Sequence, residues 1–184
     1  MNAYLAAFGI PLDAVRARGL PECREAADLE LAEVGADGTE QLLIPAAARA
    51  WRELRAAANG DGVAVFIVSA FRSVDRQAEV IRRKLDAGVA LRDILAVCAP
   101  PGFSEHHTGR AVDVSTFGSR ALELEFEQTA AHAWLSRRAG EFGFVLSYPA
   151  GNPWGYQYEP WHWCYRELAQ RGAARARSAG GVRC

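Results

Sequence analysis

Apolar residues change their spacing several times along this chain, and each change marks an element. Over Pro45–Ala58, Trp51 and Leu54 share one helical face behind a proline suited to a first turn, and Asn59-Gly60 closes the segment. The next stretch, Gly62–Ser69 (GVAVFIVS), is continuously apolar and β-branched, which predicts a strand buried on both faces. Ser73 then caps a helix with Val74, Ala78, Ile81 and Leu85 at helical spacing, ending at Gly88. A short helix around Leu91–Cys98 leads into the turn Ala99-Pro100-Pro101-Gly102.

Alternation then replaces helical spacing. In Ala111–Ser115, Val112 and Val114 point to a core while Ala111, Asp113 and Ser115 face the other way. Thr129–Gly140 reads as a helix with Trp134 and Leu135 inward, and Gly143–Pro149 (GFVLSYP) as a strand. A Gly/Pro/Asn turn and the aromatic-rich YQYEPWHWCY (Tyr156–Tyr165) follow. Helices mixed with hairpin-like strands predict an α+β domain with a small antiparallel sheet flanked by helices. Residues 1–40, with Gly35, Asp37 and Gly38 clustered, read as an N-terminal accessory segment; 41–172 is the main domain, and the small, basic stretch 173–184 a flexible tail.

Composition narrows the function classes. A chain of 184 residues, 50% hydrophobic and 23% charged, suits one globular domain. A net charge of −1 offers no footprint for nucleic acid. No apolar run reaches the length of a membrane span. The start lacks a basic region before its short apolar stretch and is interrupted by Pro11, so it makes a poor signal peptide. The four cysteines form no C-x-x-C pair and suggest no disulfide scaffold.

The chemistry sits in two short segments. In Ser104-Glu105-His106-His107-Thr108-Gly109-Arg110-Ala111-Val112-Asp113, a Thr-Gly turn separates His106 from Asp113, which projects from the polar side of a strand. In Tyr158-Glu159-Pro160-Trp161-His162-Trp163, a glutamate precedes a histidine by three positions. Two histidines and an aspartate are a common zinc set, and a further carboxylate can serve as general base. A regular strand would put Glu159 and His162 on opposite faces; Pro160 predicts that Glu159 lies on the entering loop and His162 on the strand.

Four ordered motifs give this grouping its specificity: SAFRSVDRQ (Ser69–Gln77), PGFSEHHTGRAVDVS (Pro101–Ser115), EFGFVLSYP (Glu141–Pro149) and YEPWHW (Tyr158–Trp163). With Phe126, Thr129 and Trp134-Leu135 between them, they resemble the VanY-type D-alanyl-D-alanine carboxypeptidases of the lysostaphin, D-Ala-D-Ala metallopeptidase and hedgehog-like folds. The resemblance implies one Zn2+ held by His106, Asp113 and His162, with Glu159 as general base. It implies that Arg72 holds the substrate's carboxylate or carbonyl oxygen and that Gln77 and Ser104 line the substrate site. The departures, Ala70-Phe71 for the common Gly-Tyr and Cys164 after Trp163, leave the metal set untouched.

The implied activity is removal of the terminal D-Ala from peptidoglycan stem peptides, by a monomer in the cell envelope or periplasm. The weak start of the chain keeps a cytoplasmic peptidase on small D,D-dipeptides in view. An L,D-carboxypeptidase or a peptidoglycan endopeptidase would use the same metal site. A zinc-stabilised binding module is the alternative outside catalysis, and it would need neither Glu159 nor Arg72.

Overall fold

The computed structural model describes residues 2–35 and 37–167; the tail expected at 173–184 lies outside them. Two six-residue helices, α1 (Asn2–Ala7) and α2 (Leu12–Ala17), precede a hairpin of β1 (Glu30–Val34) and β2 (Glu40–Leu43). Then come α3 (Pro45–Gly60), β3 (Phe66–Ser69), α4 (Val74–Asp86), α5 (Leu91–Val97) and β4 (Ala111–Ser115). The last elements are α6 (Ala130–Arg138), β5 (Phe144–Leu146) and β6 (His162–Tyr165). Among the described residues, no helix is long and apolar enough to cross a membrane.

The main sheet has the order β3-β4-β6-β5 and is antiparallel throughout, so the α+β class read from the sequence is the class observed. Its register places Asp113 beside Ser69 on one side and His162 on the other. Side chains on one face, including Val112, Val114 and Trp163, join Trp51 and Leu54 of α3 and Trp134 and Leu135 of α6 in the main core. Pro45 starts α3 without losing a helical hydrogen bond, and the buried Ala47, Ala48 and Ala58 let the helix lie close to its neighbours. Ser73 caps α4 by accepting from the Arg76 N–H, as its sequence position predicts.

The segment Gly62–Ser69 departs from the expectation of a strand buried on both faces. Only Phe66–Ser69 pairs, and β3 is an edge strand in which Ile67 alone is buried. A continuous apolar run signals burial, but Val65 and Ile67 obtain it by packing on the core without strand neighbours on both sides.

A second cluster forms around the N-terminal segment. Leu5, Ile10, Val15 and Leu20 of the N-terminal segment cluster with Phe103, Tyr148 and Tyr156. Backbone bonds fasten the same segment: Cys23 N–H to the Gly102 carbonyl and Ala26 N–H to that of His107, each 2.8 Å. The Arg18 guanidinium donates to the carbonyls of Leu95 (3.0 Å) and Trp154 (2.8 Å), and lies 4.4 Å from the Tyr156 ring centre. All five residues of β4 are buried.

A buried carboxylate ties the hairpin to the core. Glu33 accepts from the Trp51 indole N–H at 2.9 Å and from the Ile67 N–H at 3.3 Å. Truncating it strands two buried donors, so Glu33→Ala is expected to lower stability by about 2–4 kcal/mol. Chemical denaturation measures this, and a loss below about 0.5 kcal/mol would mean that water replaces the carboxylate.

Candidate metal centre and active-site cleft

The site begins with a short turn. Ser104 caps a 3-10 turn over Glu105–Thr108, and Gly109 ends it at φ 62°, the left-handed region that favours glycine. A Cβ at Gly109 would lie 3.1 Å from the Ile44 nitrogen and 3.0 Å from a Leu29 methyl, so both space and conformation demand glycine. This reversal brings His106 back over β4, where its Nε2 lies 3.1 Å from Asp113 Oδ2. On the far side, Glu159 lies on a loop and His162 opens β6, with the His162 N–H donating to the Glu159 carbonyl at 3.1 Å. That is the loop-then-strand arrangement that Pro160 predicts.

The hydrogen-bond partners of the two rings decide which nitrogens face Asp113. The His106 ring donates from Nδ1 to the Ala70 carbonyl at 2.6 Å, so its neutral form presents a lone pair at Nε2 towards Asp113. His162 donates from Nε2 to Glu105 at 3.1 Å and turns Nδ1 to Asp113 Oδ1 at 3.0 Å. Two imidazole nitrogens and a carboxylate thus converge with acceptors facing one another, an arrangement that a shared proton or a cation resolves. One atom from each of His106, Asp113 and His162 lies within 4.8 Å of the others, all three are buried, and the set could hold a metal ion. Two nitrogens and an oxygen suit zinc, and the hydrogen bonds behind each ring fix which nitrogen faces inward.

The electrostatics agree. Burial pushes His106 below its ordinary value, which keeps the ring neutral. Burial would also lower His162, but the bonds and charges of Asp113 and Glu105 outweigh it and raise the ring to about 10. The strong pull of these anions on positive charge is the same pull a cation would feel. Burial would raise Asp113, yet the charges and hydrogen bonds of His106 and His162 hold it well below the carboxylate range. Glu159 differs: burial pushes its carboxyl up to about 7, against the lowering effect of His162. Its Oε2 lies 4.0 Å from His162 Nδ1, and its carboxylate accepts no hydrogen bond from the described residues.

These groups line a cleft of about 730 Å³. Arg72 enters it 3.6 Å from Asp113 Oδ2, with its guanidinium donating to Ser69 Oγ and Gln77 Oε1, each at 2.9 Å. Gln77 lines the cleft while its side chain is buried, and its amide also donates to the Ala99 carbonyl. Ser104 lies at the base of the His106 turn. Two supports come from residues outside the expected site set, His107 and Tyr148. His107 donates from Nδ1 to the Arg72 carbonyl and accepts the Gly102 N–H at Nε2, which fixes the Arg72 loop against the turn. Tyr148 stacks on the His162 ring with centres 4.5 Å apart and shields one face of it. Neither contact has a local sequence signal.

Comparison with known proteins comes to the same fold. A family model described as D-alanyl-D-alanine carboxypeptidase, VanY, matches residues 40–168. The chain is 34% identical to the putative carboxypeptidase YodJ of Bacillus subtilis (strain 168) over 154 residues, or 79% of this chain. It spans 56% of that relative's length. The structure of the LdcB LD-carboxypeptidase superposes with a TM-score of 0.69 at 32% identity, covering 79% of this chain and 71% of that one. A vancomycin-resistance D,D-pentapeptidase VanY, solved in complex with Zn(II), superposes with a TM-score of 0.60 at 27% identity, covering 80% and 88%.

Two outcomes follow for the free protein. Saturating zinc is expected to raise the unfolding midpoint by several degrees, since a ligand at 1,000 times its Kd adds about 4 kcal/mol, and His106→Ala should remove the increment. Gly109→Ala should destabilise the protein by about 1–3 kcal/mol through left-handed strain and the Ile44 contact, and should weaken zinc binding as well. Calorimetry with and without chelator reads both; an unchanged midpoint on adding zinc would count against a metal site here.

Proposed function

The chain belongs to the VanY family of D-alanyl-D-alanine carboxypeptidases, and on that premise we propose that it is a zinc-dependent D,D-carboxypeptidase that removes the terminal D-Ala from peptidoglycan stem peptides. The observation that carries this reading is the pairing of two unlike carboxylates in one cleft. Asp113 is held strongly anionic between two imidazoles, while Glu159 beside them is poised near neutrality. Environments that push two acids apart in this way separate a ligand from a proton carrier. A purely structural cation would need no such base.

His106, Asp113 and His162 would hold the zinc. Bound there, it supplies Lewis acidity, polarising a carbonyl and acidifying a water molecule. Glu159 takes a proton from the attacking water and returns it to the departing amine. Its upward-shifted carboxyl suits both transfers. Arg72 binds the substrate's C-terminal carboxylate, and its contacts with Ser69 and Gln77 fix the plane of the guanidinium in advance. Ser104 lines the same cleft. Recognition of a free chain end by a fixed cation is what separates a carboxypeptidase from an endopeptidase on the same metal site.

The likeness to LdcB supports a second reading, an L,D-carboxypeptidase acting on tetrapeptide stems. Defined muropeptides separate the two by mass. Conversion of pentapeptide to tetrapeptide supports the first, conversion of tetrapeptide to tripeptide the second, and cleavage of neither would remove both.

Glu159→Ala is expected to keep one zinc per chain and to lose about 10²–10⁴-fold in kcat. Full activity in that variant would remove Glu159 as the base. Arg72→Ala should lower kcat/KM about 10–100-fold on peptides with a free C-terminus. Blocking that carboxylate as an amide should remove most of the difference between variant and parent; an equal deficit on both substrates would assign Arg72 another role.

A further inference from the structure

Glu105 stands next to a proposed ligand and takes no part in the proposed reaction. Its position is informative. The same 3-10 turn that aims His106 at Asp113 sends the preceding side chain, Glu105, to the other side of His162, where Oε2 accepts from Nε2 at 3.1 Å. The other oxygen, Oε1, accepts from Arg166 at 2.6 Å, just beyond β6. Glu105 is buried, whereas the Arg166 side chain is half exposed, so the pair forms a chain from solvent through Glu105 to the far nitrogen of His162. Because Glu105 faces Nε2 while Asp113 faces Nδ1, Glu105 is on the wrong side of the ring to touch the ion.

We propose that Glu105 is a positioning residue, anchored by Arg166, that holds the Nε2–H of His162 and so keeps the Nδ1 lone pair aimed at the metal. This rests on the metal reading of His106, Asp113 and His162. An imidazole can rotate about its bond to Cβ and can carry its single proton on either nitrogen. A carboxylate at Nε2 selects one of two tautomers and one of two ring orientations, and its charge makes the opposite nitrogen a better donor to a cation. Tyr148, stacked on the ring face, constrains its plane but cannot choose between the nitrogens. Glu105 makes that choice. One turn of chain therefore supplies a ligand, His106, and the clamp on a second ligand from another strand.

The test uses the full chain and zinc alone. Zinc affinity is measured by chelator competition for the parent, Glu105→Ala, Glu105→Gln and His162→Ala, with circular dichroism and melting of the metal-free proteins as a check on folding. Long-range nitrogen–proton correlation of the zinc-loaded proteins reads the His162 tautomer. Glu105→Ala is expected to bind zinc about 10–100-fold more weakly and to lose the slowly exchanging Nε2–H of His162. Glu105→Gln, which keeps an acceptor, should recover most of the affinity. A folded Glu105→Ala with parental affinity and an unchanged Nε2–H signal would overturn the proposal and leave the metal site standing. A parent that binds no zinc, or a His162→Ala that binds it as tightly as the parent, would overturn the metal reading and this inference with it. Should Glu105→Ala fail to fold, Arg166→Gln loosens only the anchor. A several-fold loss of affinity there supports the role, and an unchanged affinity overturns it.

Discussion

Antiparallel pairing sets Ser69, Asp113 and His162 side by side on three neighbouring strands, and every contact in the cleft depends on that register. A slip of one residue would turn Asp113 into the core and bring Val112 or Val114 to the ring of His162, since side chains alternate between faces. The apolar face guards against this. Val112, Val114 and Trp163 fill the space against α3 and α6, so the polar rung on the other side is held by the packing beneath it. Ser69 extends the rung by accepting from Arg72. The positions of a proposed ligand pair and of the proposed carboxylate-binding arginine thus descend from one set of backbone bonds.

Much of this arrangement is legible in the chain, and the parts that are not share a cause. The helices α3, α4 and α6 follow from apolar spacing and from Pro45, Ser73 and Thr129 at their starts. The separation of Glu159 from His162 follows from the proline between them, and the convergence of His106 with Asp113 from a turn ending in glycine. These are local signals. Glu105 meets His162 across 57 positions, and Tyr148 stacks on it only because the fold brings the loop after β5 beside the start of β6. The hairpin β1–β2 hides for another reason: Glu33 is buried there while Leu31 and Val34 are exposed, which inverts the pattern that marks a strand. Burial of that carboxylate depends on Trp51 and Ile67, both distant in sequence.

Charge gives the cleft its chemical direction. Asp113 and Glu105 flank His162 as anions, Arg72 and Arg166 stand outside them, and Glu159, also buried, lacks the side-chain hydrogen bonds that hold the other two anionic. Burial alone would raise Glu105, but the hydrogen bond and charge of His162, with Arg166, hold it at about 2. Alternating signs from solvent inward let several buried charges coexist, because each has an opposite neighbour to replace lost hydration.

The N-terminal segment gives this layout a consequence of its own. The family model's match starts at residue 40, yet Leu5, Ile10, Val15 and Leu20 cluster with Phe103, Tyr148 and Tyr156, and Arg18 donates to the carbonyls of Leu95 and Trp154. The part of the chain that the family model matches is thereby packed against residues that lie before it. Tyr148 touches His162 on one side and that cluster on the other. Substitutions among Leu5, Ile10, Val15 and Leu20 can therefore shift the packing of Tyr148 against the His162 ring while His106, Asp113 and His162 themselves stay unchanged.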